Sequence, residues 1–174
     1  MTTAELAAAI DEVAHLTGSF SLRSGQQASE YFDKFQFTSR PDLLGAVADE
    51  LAHLLPPSVE LVAGLQLGGV PLAAALALRT GLPAVYIRLE RKAYGTAKII
   101  EGVAIRGRQV AVIEDVVTTG GQIILSTADL RREGAIVEHA LAVVDRQRGG
   151  AENLRDAGLE LRAVFTASDL ARDT

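Results

Sequence analysis

The chain reads as an α/β protein: a five-stranded, mainly parallel sheet flanked by helices, with a small N-terminal hood. Three observations predict this. From residue 60 onward, short apolar runs alternate with helical stretches, the pattern of a parallel sheet covered on both faces. Paired glycines, Gly68-Gly69 and Gly120-Gly121, stand where a strand gives way to a helix. Before Pro56-Pro57 the pattern differs, with two helices enclosing a β-hairpin. The 174 residues form one domain in this reading, with 1–58 giving the N-terminal helices and hairpin hood and 59–174 the core.

Each element has its own signal. Thr2 and Glu5 have the spacing of a capping box, Leu6, Ile10 and Val13 recur at helical intervals, and Gly18 is the expected stop. Residues 19–34 alternate around Ser24-Gly25 and predict a hairpin lying over the carboxyl ends of the sheet. Pro41-Asp42 opens a second helix carrying Leu43, Leu44, Val47, Leu51 and Leu54 on one stripe. Strands are expected at 61–65, 84–88, 109–114, 136–144 and 160–166. Helices are expected after Gly69, with Pro71 near the first position and Gly81 closing, from Gly121 to Gly134, and over 151–157.

Composition narrows the function classes. Hydrophobic residues are 48% and charged residues 22%, which fits a packed globular domain rather than a disordered one. No apolar run is long and clean enough to span a membrane, and the N-terminus has no basic leader, so a cytoplasmic protein is expected. The absence of cysteine excludes disulfides, thiolate zinc, iron–sulfur clusters and cysteine nucleophiles. A net charge of −5 argues against a general affinity for nucleic acid. His15 and His53, read on helices, and His139, read in a strand, lack metal-ligand spacing and are expected to be structural.

Residues 89–108 break the alternation. They hold Arg91, Lys92, Lys98, Arg106 and Arg108 among glycines, with no amphipathic helix. A long basic segment without a core suits a lid over something anionic, the alternative being a solvated hairpin.

The most informative stretch is 110–121. An apolar strand ends in Glu114-Asp115, and the chain turns through Thr118-Thr119-Gly120-Gly121 into a helix. Open α/β sheets place ligands at strand carboxyl ends. A helix N-terminus offers unpaired N–H groups that suit a phosphate, and adjacent carboxylates can accept from a ribose diol. The plainer alternative is a helix-capping turn with structural glycines. The stretch is neither a Walker A loop nor a dinucleotide fingerprint.

This segment resembles the phosphoribosyl pyrophosphate signature of type I phosphoribosyltransferases. Leu22-Arg23-Ser24-Gly25 with Tyr31-Phe32-Asp33 looks like the N-terminal element of orotate phosphoribosyltransferases. Arg88, Lys92, Tyr94-Gly95-Thr96 and Ile100-Glu101-Gly102 resemble that family's catalytic loop, and Asp145-Arg146-Gln147 its orotate-binding strand end. Taken together, these pieces cover the chain from about residue 4 to residue 170.

The resemblance implies a type I phosphoribosyltransferase fold and an Mg2+-dependent reaction of orotate with phosphoribosyl pyrophosphate, giving orotidine monophosphate in pyrimidine biosynthesis. It implies that Glu114 and Asp115 hold the ribose diol, while Val116, Val117, Thr118, Thr119, Gly120 and Gly121 cradle the phosphate. Arg23, Arg88 and Lys92 would bind pyrophosphate, Lys92 being the main catalytic lysine beside Arg88 and Asp115. Orotate would lie against Tyr31, Phe32 and Thr118 with its carboxylate on Arg146. Magnesium would be carried by substrate and water rather than by a protein cage. A homodimer with shared active sites is also implied.

The chain departs from the family at three places. Leu89 follows Arg88 where a lysine is frequent, which leaves Lys92 and Lys98 both open for the lysine role. Tyr94 replaces a histidine of some members, and Leu67-Gly68-Gly69 lacks a lysine that some carry in the glycine turn. A purine-base phosphoribosyltransferase and a non-catalytic phosphoribosyl pyrophosphate sensor are the alternative readings.

Overall fold

The structure, a computed structural model, describes residues 1–21, 25, 27–90 and 98–170. Helix α1 (Thr3–Ala14) opens on the expected box: Glu5 N donates to Thr2 Oγ1 at 3.2 Å and Thr2 N donates to Glu5 Oε2 at 2.7 Å. It ends at Ala14, four residues before Gly18, because His15 already begins strand β1 (His15–Ser21). Gly18 is thus no helix stop. It lies in the register shift between Thr17 and Phe20, where β1 pairs antiparallel with β2 (Gln27–Phe32). His15 consequently belongs to a strand, not to the helix.

A short helix absent from the sequence reading follows, α2 (Lys34–Thr38), capped by Asp33 Oδ1 accepting from Phe35 N at 3.1 Å. Helix α3 (Pro41–Leu54) starts at its proline. Strand β3 (Leu61–Leu65) is buried throughout and feeds α4 (Gly69–Thr80), which Gly81 ends in the left-handed region at φ +77°. Then come β4 (Ala84–Ile87), β5 (Ile100–Gly102), β6 (Gln109–Val117), α5 (Gly121–Arg132), β7 (Ile136–Asp145), α6 (Gly150–Asp156), β8 (Glu160–Thr166) and α7 (Ala167–Leu170).

The main sheet has the order β5-β4-β3-β6-β7-β8. The five expected strands are all present and mutually parallel, but the sheet has six, because β5 adds an antiparallel edge beside β4. Three residues are too few to show a period of two, and they lie in a stretch read as a coreless loop. That reading fails for its described second half. Ile105 is buried, and Arg108 Nε donates to Glu60 Oε1 at 3.1 Å, so this cation ties the segment to the start of β3.

Both faces are covered. Leu6 and Ile10 of α1, Leu51 of α3 and Leu76 of α4 pack with Val62, Ala111 and Leu141 of the sheet. On the other side Ile123 and Leu130 of α5 and Leu154 of α6 pack with Ala63, Val112 and Ala140. Helices α1 and α3 therefore share the central core, and the hairpin stands apart as its own two-stranded sheet.

Among the parallel strands the chain lays β4 on one side of β3 and β6, β7, β8 on the other. Connections leaving β3 and β6 diverge, which opens a crevice at their carboxyl ends, the switch point at which open α/β sheets bind ligands.

Candidate active site

Two glycines shape the β3 side of that crevice. A Cβ on Gly69 would lie 2.2 Å from the Ile113 carbonyl oxygen, and one on Gly68 only 1.4 Å from Asp115 Oδ2. The turn after β3 can pass over β6 only because neither residue carries a side chain.

The acidic pair does not follow the strand as expected. β6 runs on to Val117, so Glu114 and Asp115 lie within it. Asp115 is 1% exposed. Its Oδ1 accepts from Val116 N at 2.6 Å and from Lys34 Nζ at 3.1 Å, while Oδ2 is 2.9 Å from the same ammonium. Glu114 Oε1 accepts from Asp115 N at 3.0 Å. Burial, and next the charge of Asp115, push the Glu114 carboxyl up to about 8. Lys34 acts in the opposite direction.

Beyond β6 the chain reaches the anion turn. Thr118 and Thr119 are exposed, and Gly120 adopts φ +76° to enter α5. The turn is held from behind by α6. Asn153 Nδ2 donates to the Thr119 carbonyl at 2.9 Å, and a Cβ on Gly150 would come within 2.8 Å of the Thr118 carbonyl. The helix N-terminus with its free N–H groups is thereby fixed at the same edge as the carboxylates.

One strand over, Arg146 follows β7, and its backbone N donates to the Val117 carbonyl at 2.9 Å. Tyr31, Phe32 and Arg146 line one cavity of about 520 Å³ between the hairpin and the end of β7, together with Val144 and His15. The three residues expected around a planar anionic base are thus brought together; Thr118 is not among the residues lining this cavity. A groove of about 590 Å³ between α1 and β8–α7 does not include the acidic pair; alanines of α1 line it together with Asp11, Glu12 and Asp169.

Arg88 follows β4 at the same sheet edge, with Nη1 3.9 Å from Glu101 Oε1 of β5. Lys98 is exposed. Arg23, Lys92 and the Tyr94-Gly95-Thr96 stretch lie outside the described residues. Sequence reasoning missed Lys34, which meets a carboxylate 81 positions away, and Asn153 behind the turn. Asp33, a helix-capping type just before Lys34, was the available local signal for the element that carries it.

No family model matches the chain. Comparison with individual proteins is decisive. It is 50% identical over 167 residues to an orotate phosphoribosyltransferase of a Nocardioides species, which covers 96% of this chain and 93% of the relative. The crystal structure of orotate phosphoribosyltransferase from Aeropyrum pernix superimposes with a TM-score of 0.83 at 36% identity, covering 95% of each chain.

The chain belongs to the orotate phosphoribosyltransferase family.

The Mycobacterium tuberculosis orotate phosphoribosyltransferase in complex with 5-phospho-α-D-ribosyl 1-diphosphate gives the same TM-score, 0.83, at 29% identity, over 97% of this chain and 98% of that one. The family is one of pentosyltransferases, and the six-stranded sheet described above is its type I phosphoribosyltransferase fold with an antiparallel edge strand.

Proposed function

We propose that the chain transfers the phosphoribosyl group of phosphoribosyl diphosphate to orotate, forming orotidine monophosphate and pyrophosphate in pyrimidine biosynthesis. The observation that carries this reading is the adjacency of two sites. The acidic pair and anion turn of β6–α5 lie beside a cavity holding Arg146, and the Arg146 N to Val117 O bond joins the two.

Each group then has a chemical task. Asp115 and Glu114 accept from the ribose hydroxyls, and the N–H groups from Val117 to Gly121 bind the ribose phosphate. Arg146 pairs with the orotate carboxylate through its planar fork, while Tyr31 and Phe32 give the ring an apolar wall. The bond from C1 of the ribose to the diphosphate oxygen breaks, a bond from C1 to the base nitrogen forms, and the proton of that nitrogen passes to the departing pyrophosphate or to water. Negative charge moves onto the departing pyrophosphate, so cations at that point would favour the transition state over the bound substrate. The sequence offers Arg88, Arg23 and Lys92 or Lys98 for this, of which Arg23 and Lys92 lie outside the described residues.

Among the described residues no cluster of three His, Cys, Asp or Glu side chains could hold a metal ion. Magnesium would be carried by the diphosphate and water beside Glu114 and Asp115, and would supply charge neutralisation to the leaving group. Among the described residues no helix is long and apolar enough to cross a membrane. A cytoplasmic enzyme is the reading adopted.

A homodimer with shared sites is part of the proposal. Leu67 is 61% and Leu89 54% exposed, and Leu89 N donates to Gln66 Oε1 at 3.3 Å, so both leucines flank the crevice. A second copy covering them would bring its basic segment to this site. Mixing inactive Lys92→Ala with inactive Asp115→Asn subunits in equal amounts, once exchange is demonstrated, should restore about a quarter of the wild-type activity, since about half of the dimers are then heterodimers with one intact site of two. No recovery would place loop and ribose site in one chain.

The activity itself is tested by a base screen with phosphoribosyl diphosphate and magnesium, following the loss of orotate absorbance. Orotate turnover supports the reading. Turnover of hypoxanthine, guanine or adenine without orotate would make the chain a purine-base enzyme, and binding without turnover would make it a sensor.

A further inference from the structure

The ribose carboxylate of this site has a counter-ion from outside the parallel core. Lys34 is the first residue of α2, and its Nζ lies 2.9 Å and 3.1 Å from the two oxygens of Asp115. Asp115 is almost fully buried, whereas the Lys34 side chain is 37% exposed, so the contact joins solvent to the floor of the crevice. The turn after β3 cannot supply this charge. Leu67 is apolar, and the Cβ of any residue replacing Gly68 would fall on the carboxylate. Asp115 Oδ2 has no hydrogen-bond donor among the described residues other than this charge partner. Oδ2 is itself enclosed, so a hydroxyl that donates to it must displace part of the cover given by Lys34 and the Gly68 turn.

We propose that Lys34 is a positioning residue for the phosphoribosyl site, its ammonium on both oxygens of Asp115 holding that carboxylate aimed so that it accepts from the ribose diol. This rests on the proposed function. A buried carboxylate without a charge partner is costly, and one not tied by a cation is free to turn away from the sugar. The ammonium removes that cost, and its exposed side leaves it within reach of solvent as the hydroxyls arrive. The hood therefore contributes to binding the sugar as well as to enclosing the base.

The test is calorimetric titration of magnesium phosphoribosyl diphosphate into the wild type, Lys34→Met and Lys34→Arg, with steady-state kinetics on the same proteins. Lys34→Met should weaken phosphoribosyl diphosphate binding by about tenfold to a hundredfold, the effect of one charge-assisted hydrogen bond. The fall in kcat and the rise in the orotate KM should both be smaller than this loss. Lys34→Arg, which keeps the charge, should recover most of the affinity. Unchanged or tighter binding by Lys34→Met overturns the inference, tighter binding meaning that the ammonium competes with the diol. An equal loss in Lys34→Arg, or equal losses in kcat and both substrates, also overturns it, since that pattern marks a structural role. Absence of phosphoribosyl diphosphate binding and of orotate turnover in the wild type would overturn the proposed function as well.

Discussion

The two halves of the crevice are built differently. On the ribose side, backbone lies against backbone: Gly69 beneath Ile113, Gly150 against Thr118, and the Asn153 amide on the Thr119 carbonyl. On the base side, the hairpin has no fully buried residue in either strand. It is joined to the core by the Asp33 N to Ala14 O bond at 2.7 Å, by Lys34 on Asp115, and by His15, whose ring nitrogens lie 3.2 Å from Asp11 and 3.3 Å from Glu30. Close packing leaves the first half one geometry, and small changes there are felt strongly. The second half is tied at a few points and can adapt, which suits a surface that must admit and release a flat base.

The largest expected effect breaks the rigid half. Gly68→Ala places a methyl group on the Asp115 carboxylate and must displace it, so phosphoribosyl diphosphate affinity should fall by about a hundredfold or more. Destabilisation on the order of 1–3 kcal/mol should accompany it, measurable by denaturant unfolding. Retained affinity would mean that the turn after β3 yields as easily as the hairpin.

A smaller effect separates the halves. Arg146→Ala should raise the orotate KM roughly tenfold to a hundredfold while leaving the dissociation constant of phosphoribosyl diphosphate within about threefold. Equal losses for both substrates would show that the cavity and the anion turn are one unit.

The rigid half was the more legible in the sequence. Gly68-Gly69, Glu114-Asp115 and Thr118 to Gly121 could be read because close backbone approach and anion binding demand particular residue types at fixed spacing. Tyr31, Phe32 and Arg146 were named by resemblance, and the structure gives them a common cavity. Lys34 could not be read, since a partner 81 positions away leaves no local signature. The extension of β6 was missed because two carboxylates look like the end of a strand, whereas neighbouring backbone N–H groups and a lysine make their burial tolerable. Helix α2 spans five residues and β5 three, both shorter than the periods that reveal such elements.

The remaining expected effect is on stability and concerns Glu114. Its folded carboxyl titrates near 8 against an ordinary value of 4.5, so between these limits the folded chain binds the proton more tightly than the unfolded one. Its contribution to stability is complete below about pH 4.5 and is lost as pH rises through about 8. The melting temperature of the ligand-free wild type should fall over that window, and Glu114→Gln should flatten the fall by about 2–4 °C for each kcal/mol removed. An equal slope in both proteins would show that Glu114 does not carry the pH dependence.

The same titration has an electrical consequence. Burial holds the Glu114 carboxyl up and Lys34 is paired with Asp115, so the acidic pair is less negative than two free carboxylates would be. A polyanionic sugar phosphate approaching it meets correspondingly less repulsion from a protein whose overall charge is −5.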